Sequence, residues 1–221
     1  MIKPSFSSSP RKFLSFGLYH QVLLESLPET APLATPLDQA NRDVKSAMEA
    51  VEAAEFQVMR MLALRDVADH GADATVSSVA RRLLEHFGGD RQNAQYRRLL
   101  PQGVEGINRA PHAEEVKKIN ALAAALAESE LPAEMKAVGT ELVAAAGRLA
   151  GAIADVEKAV REESLRRGDL NLAKDRWLTA YTRSFGALLQ QFGSREKADR
   201  FFKPVRDTSA RGEADPAPAQ S

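Results

Sequence analysis

Cysteine is absent from the 221-residue chain, which excludes disulfide bonds, thiolate metal ligands and a cysteine nucleophile. Its absence fits a reducing compartment, and we expect a cytoplasmic protein. Net charge is also absent, because 30 Lys and Arg residues balance 30 Asp and Glu residues. The molecule as a whole therefore lacks the field that would attract nucleic acid or acidic lipid.

Aromatic residues are few, at 6% of the chain, although apolar residues make up 44% and alanine is prominent among them. Alanine-rich and charge-rich segments with few β-branched and aromatic residues are typical of helices. No stretch approaches the roughly 20 apolar residues of a membrane-spanning helix, so we expect no membrane span. The composition predicts an all-α protein.

Motifs that would carry chemistry are also missing. A di-iron helical bundle needs Glu-x-x-His pairs, and none occurs. Neither a Gly-x-Ser-x-Gly nucleophile motif nor a strand followed by a Gly-rich phosphate loop is present. His112 opens a helix with Glu114 and Glu115, where capping is favoured over metal binding. We therefore predict no catalytic residue, metal or cofactor.

Five prolines within the first 36 residues define an N-terminal arm and Pro-rich linker, residues 1–36. The first 24 residues carry Lys3, Arg11 and Lys12 but no acid. We expect the arm to pack its Phe and Leu residues on the rest of the protein. The alternatives are a targeting segment and a basic helix that contacts a membrane surface. Polar residues interrupt the apolar run, which disfavours a secretory signal.

Long heptad patterns, with large apolar residues on one line and mainly alanine on the other, predict closely packed antiparallel helices. The first occupies 37–68, where Leu37, Val44, Val51 and Val58 form the line of large residues. We predict a helical hairpin over residues 37–101, with its tip at residues 69–71. A connecting helix covers 111–131.

A second hairpin is predicted over residues 132–204, with a long helix that Gly168 ends and a return helix up to Phe192. The two hairpins together predict an elongated antiparallel four-helix bundle with short capping helices. Residues 205–221 are polar and rich in Ala and Pro, and we expect them to form a disordered tail.

Two segments resemble each other. Residues 83–101 read LLEHFGGDRQNAQYRRLLP and residues 188–204 read LLQQFGSREKADRFFKP. In each, a glycine after Phe87 or Phe192 is expected to cap a helix, and the following short helix folds over the end. An ancient duplication of a hairpin would explain this similarity between the two segments, and so would chance similarity between Ala-rich helices.

The leading functional hypothesis is a non-enzymatic scaffold or adaptor that self-associates or binds another protein. The first alternative is nucleic-acid or anionic-surface binding through the basic residues of 161–206, although acids in the same span favour a solvated face. The second is an enzyme or small-ligand carrier with a pocket between helices. The candidate interaction surface comprises Phe13, Phe16, Trp177, Tyr181, Arg195, Arg200, Phe201 and Phe202.

Overall fold

The computed structural model describes residues 1–204, and every regular element within them is helical, which confirms the all-α prediction. The predicted disordered tail lies outside the described residues. The helices are α1 (Pro10–Glu25), α2 (Ala34–His86), α3 (Ala94–Leu99), α4 (Glu105–Asn108), α5 (His112–Glu128), α6 (Ala133–Phe192) and α7 (Arg195–Asp199), and a 3-10 turn at Ala31–Leu33 precedes α2.

The two long helices are unbroken where hairpin tips were predicted. Helix α2 passes through Gly71, and α6 passes through Gly168. One glycine inside a helix costs only about 1 kcal/mol relative to alanine, which the packing on either side of it outweighs. The predicted tips at residues 69–71 and at Gly168 are therefore wrong. Each long heptad pattern is instead one part of a single helix.

The chain forms two compact units, and both α2 and α6 contribute a segment to each of them. Among the described residues, the first unit comprises Met1–Val51 and residues 166–204, and the second comprises Glu52–Leu165. Two separate clusters of buried apolar residues correspond to this division.

The core of the first unit forms where α1 packs on the beginning of α2 and the end of α6. On α1, the side chains of Phe13, Phe16 and Leu24 are buried at helical spacing. They meet Leu37 and Val44 of α2 and the aromatic residues of α6 in one cluster. The N-terminal segment therefore supplies part of this core, and α2 begins inside the expected linker, at Ala34.

Gly17 allows the close approach of α1 to the rest of the first unit. A β-carbon built on Gly17 would overlap the amide group of Asn41 and lie 2.9 Å from Nε1 of Trp177. Trp177 donates a hydrogen bond of 2.7 Å from Nε1 to Oδ1 of Asn41, and the Asn41 amide donates to Gln21 at 3.0 Å. Only glycine leaves room for this polar contact.

The second unit packs α5 against the later part of α2 and the beginning of α6. Its buried residues include Val76, Val79, Leu83, Ile119, Leu122, Leu126, Leu142 and Leu149. Gly88, after α2, and Gly193, after α6, have φ angles of 64° and 60°, so both predicted glycine caps are confirmed. Helix α3 is capped by Asn93, whose side chain accepts a hydrogen bond from the backbone amide of Gln95.

Helix α6 is long enough, and over one 18-residue window apolar enough, to cross a membrane. Only 33% of that window is buried, and a core helix of a soluble protein can satisfy the same criterion. This is weak evidence for a span, and it qualifies the expectation that no segment has the necessary length and composition.

Candidate functional site

The six aromatic residues of the predicted interaction surface lie in the core of the first unit. Trp177 stacks on Tyr181 with ring centroids 4.5 Å apart, and the edge of Phe13 meets Trp177 at 5.1 Å. All six are buried: Phe13, Phe16, Trp177, Tyr181, Phe201 and Phe202. The interpretation of these rings as surface anchors is wrong, because the helices turn them towards one another.

Arg195 and Arg200, the other two predicted residues, remain on the surface. The Arg195 guanidinium lies 3.7 Å from an Asp199 carboxylate oxygen, and Arg200 lies 2.8 Å from Glu196. Each of these acids is four positions from its arginine, or within one helical turn of it, so the pairs are local. The structure therefore separates the predicted basic residues from the predicted aromatic ones.

His20, which belongs to no recognisable sequence motif, lies at the centre of this aromatic core. It is 0% exposed and stacks on Phe202 at 4.1 Å. Its Nδ1 lies 2.8 Å from the carbonyl oxygen of Phe201 and its Nε2 lies 2.8 Å from Oγ of Ser184. Burial lowers the pKa of His20 to about 4, opposed by the bond to the Phe201 carbonyl. The neutral ring therefore donates from Nδ1 and accepts from the serine hydroxyl.

A serine hydrogen-bonded to a histidine is the arrangement that activates a nucleophile in many hydrolases. Here the imidazole is a weak base, because burial lowers its pKa. A general base works best with a pKa near the working pH. The Ser184–His20 contact is therefore best explained as a polar link between α1, α6 and the chain after α7.

A second polar cluster lies in the core of the second unit. Glu115, on α5, is only 1% exposed, and neither oxygen of its carboxyl group has a conventional hydrogen-bond donor within the described chain. Asp69 and Asp73 of α2 face it. His112, one turn earlier on α5, places its Nε2 3.6 Å from an oxygen of Asp69. Three acids thus meet near two imidazoles, those of His112 and His70.

Burial, a side-chain hydrogen bond with Asp69 and the negative charges of Asp69 and Asp73 together raise the pKa of Glu115 to about 8. A neutral Glu115 carboxyl donates its proton to Asp69, which relieves both the repulsion and the missing donor. No group of three or more His, Asp or Glu residues is placed to hold a metal ion in residues 1–204. We therefore interpret the cluster as a contact between α2 and α5 in which Asp69 and Glu115 share a proton.

The surface grooves are open rather than enclosed. A groove of about 380 Å³ in the first unit is bordered by Pro36, Arg176 and Ser184. Another, of about 540 Å³ in the second unit, is lined mainly by small residues of α5 and α6, such as Ala123 and Gly139. Ligand sites combine such volumes with convergent polar groups. The first groove also has Asp175 and Arg183 on its wall, but the hydroxyl of its Ser184 is already hydrogen-bonded to the buried His20.

Exposed large apolar side chains occur on α1, α2 and α6; those on α6 are Val143, Val160, Leu165 and Leu172. On α2, Phe56, Met59, Ala63 and Val67 form an exposed line that we call the outer α2 stripe. Phe56 is 70% exposed and Val67 is 69% exposed. On α1, Leu18 and Val22 are 61% and 55% exposed. Large exposed apolar faces of this kind mark binding surfaces more often than isolated residues do.

No protein-family model, curated protein or solved structure matches the chain. The fold and sites themselves define the class: an all-α protein with two compact units, buried polar contacts and exposed apolar side chains on its helices. Function has to be argued from those faces and contacts.

Proposed function

We propose that the protein is a non-enzymatic helical scaffold that associates with a second copy of itself through the outer α2 stripe. The observation that carries this proposal is the apolar line itself. Phe56, Met59, Ala63 and Val67 recur at intervals of three and four residues, which places them on one side of the helix.

This side of α2 is distinct from the side that packs within the protein. Val51 is buried and Met61 is half-buried, and the positions of both around the helix are far from those of Phe56 and Val67. A helix with one packed face and a second apolar line has the pattern of a helix in a larger bundle. The second line lacks a partner within residues 1–204, and another copy would provide one.

Pairing of two outer α2 stripes supports a four-helix arrangement made from two chains. Each copy would contribute α2 and α6, and the α2 helices would run antiparallel about a twofold axis, which makes an isologous contact. In this form the predicted antiparallel bundle is made between copies rather than from two hairpins within one chain. Alanine at position 63 would let the helices approach closely.

The alternatives have less support. The basic residues of the second half pair repeatedly with local acids, as Arg161 does with Glu157 at 3.7 Å and Arg166 with Asp169 at 3.4 Å. A nucleic-acid surface would also need stacking aromatics, and the predicted ones are buried. An enzyme or carrier would need an enclosed pocket with free polar groups, whereas the groove that Asp175 and Arg176 border is open, and its Ser184 hydroxyl is hydrogen-bonded to the buried His20.

The experiment compares the oligomeric state of the full chain with that of Phe56→Ser by analytical ultracentrifugation across a concentration series. Complete burial of a phenylalanine contributes about 1.5–3 kcal/mol, and each dimer buries two copies. We therefore expect Phe56→Ser to raise the dimer dissociation constant by at least about tenfold. Because the side chain is exposed in one copy, the monomer should keep its helical content.

Leu165→Ser is the matched control, because Leu165 is 64% exposed but lies on α6. It should leave the dissociation constant within about twofold of the parent. A chain that is monomeric at all concentrations would refute self-association through this stripe. Equal weakening by both substitutions would place the contact elsewhere.

A further inference from the structure

The outer face of α1 combines exposed apolar residues with unpaired cations. Leu18, Tyr19 and Val22 are exposed on the side of α1 that faces away from the core residues Phe13 and His20. Arg11 and Lys12 lie at the beginning of the same helix, and neither has an ion pair within residues 1–204. The first acid in the sequence is Glu25, at the opposite end of α1.

Helix α7 and the residues after it extend the positive charge along one flank of α1. Nζ of Lys203 lies 2.5 Å from Oγ of Ser15 and 5.4 Å from the ring centroid of Phe16, so it is fixed beside the middle of α1. Further along, Lys197 and Arg200 border a groove of about 370 Å³ whose apolar walls include Leu23 and Leu27. Cationic and apolar groups thus alternate along this edge of α1.

The local charge is positive although the protein is neutral overall. Residues 1–26 and 194–204 contain seven Lys and Arg residues and three acids. Two of those acids, Glu196 and Asp199, already pair with Arg200 and Arg195. Lys197 has no ion pair among the described residues, like Arg11 and Lys12. Cations are therefore available at both ends of the apolar face.

We propose that this surface of α1 and α7 docks on a bilayer that contains anionic lipids. Leu18 and Val22 would enter the boundary between headgroups and acyl chains, while Arg11, Lys12 and Lys197 contact lipid phosphates and carboxylates. An interfacial helix typically places apolar residues towards the lipid and basic residues at the edge of that face. Anionic leaflets attract basic segments within about one Debye length of their surface.

A lipid surface fits this face better than a nucleic acid or a helical partner does. Most aromatic rings of the same unit are buried, whereas the exposed apolar residues of α1 are aliphatic apart from Tyr19. A partner helix would require acids opposite the cations, and bilayers of anionic lipid offer negative charge at every position. This proposal does not depend on self-association, because α1 and the outer α2 stripe are different surfaces.

The test is co-sedimentation of the full chain with vesicles of phosphatidylcholine alone and of phosphatidylcholine with 30% phosphatidylserine, at 50 and 500 mM salt. We expect binding to the anionic vesicles at low salt and loss of most of it at high salt. Leu18→Ser with Val22→Ser should weaken the binding by about tenfold. Lys12→Gln with Lys197→Gln should weaken it by about 25-fold, since each surface cation contributes about fivefold.

Controls keep the outcomes distinguishable. Leu165→Ser removes an equally exposed leucine from α6 and should bind vesicles like the parent, and circular dichroism should show unchanged helicity in every variant. Equal binding to neutral vesicles, or parental binding by the Leu18→Ser and Val22→Ser chain, would overturn the proposal. If those two substitutions changed only the oligomeric state, the face would belong to a second copy and the lipid proposal would be wrong.

Discussion

Replacement of Glu115 by glutamine should make the protein more stable at pH 8 and change its stability little at pH 5. Glu115 is buried against Asp69 and Asp73, and its raised pKa means that the folded protein holds this proton more tightly than the unfolded chain does. A glutamine amide has nearly the shape of a neutral carboxyl group. It can donate to Asp69 at every pH and has no proton to lose.

The sign follows from proton linkage. Below about pH 4.5 the carboxyl group is protonated in the folded and the unfolded chain, and the parent has its full stability. Between there and about pH 8 the unfolded chain loses the proton while the folded chain keeps it, so stability falls as the pH rises. Above about pH 8 both states are ionised, and the loss is complete.

The magnitude is bounded by about 1.4 kcal/mol for each unit of pKa difference. From 4.5 to about 8, this gives an upper bound of about 5 kcal/mol. The proton is shared with Asp69, which is 27% exposed and can move towards water. We therefore expect about 2 kcal/mol in practice, a size that a single buried ionisable group commonly contributes.

Urea denaturation followed by circular dichroism at pH 5 and pH 8 measures the difference. Glu114→Gln is the matched control, because Glu114 is exposed in the same turn and pairs only with Lys117, at 3.3 Å. Its effect should be within about 0.5 kcal/mol at both pH values. If Glu115→Gln changed the unfolding free energy equally at pH 5 and pH 8, the inference that Glu115 is protonated in the folded protein would be refuted.

Two further substitutions test the packing of the long helices through thermal unfolding. Gly168→Ala should raise the free energy of unfolding by up to about 1 kcal/mol, and the melting temperature with it, because α6 is helical at this position and a methyl group has room there. A lower melting temperature would indicate a turn at residue 168. Gly17→Ala should lower stability by about 2 kcal/mol or more, because the new methyl group meets Asn41 and Trp177, and an unchanged melting temperature would contradict the close approach.

The sequence predicted most of the helices because periodic spacing reports which residues share a face. Leu37 and Val44, expected on one line of α2, are buried, and so are Leu142 and Leu149 on α6. The error was to predict breaks in α2 and α6, which are each one continuous helix. Gly71 stands beside Asp69 and His70 in a pattern typical of a turn, but the helix on both sides is held by packing that local sequence does not reveal.

The sites were less predictable because burial depends on which elements meet. The spacing of Trp177 and Tyr181 shows that they share a face, and only the position of α1 shows that the face is covered. Glu115 did carry a signal, since it lies four residues before the buried Ile119 and therefore on the inner side of α5. The matching acids, Asp69 and Asp73, could be recognised as inner residues only once α2 was known to continue past residue 71.

The contacts of His20 also constrain when the protein can fold during synthesis. Its partners, Ser184 and Phe201, follow it by 164 and 181 positions. At translation rates of about 5–20 residues per second, α1 therefore waits roughly 10–35 s before the end of α6 and the residues after it have been made. During that interval Phe13 and Phe16 lack their final neighbours. A ribosome-associated chaperone therefore has time to bind the N-terminal helix before its partners in the fold have been synthesised.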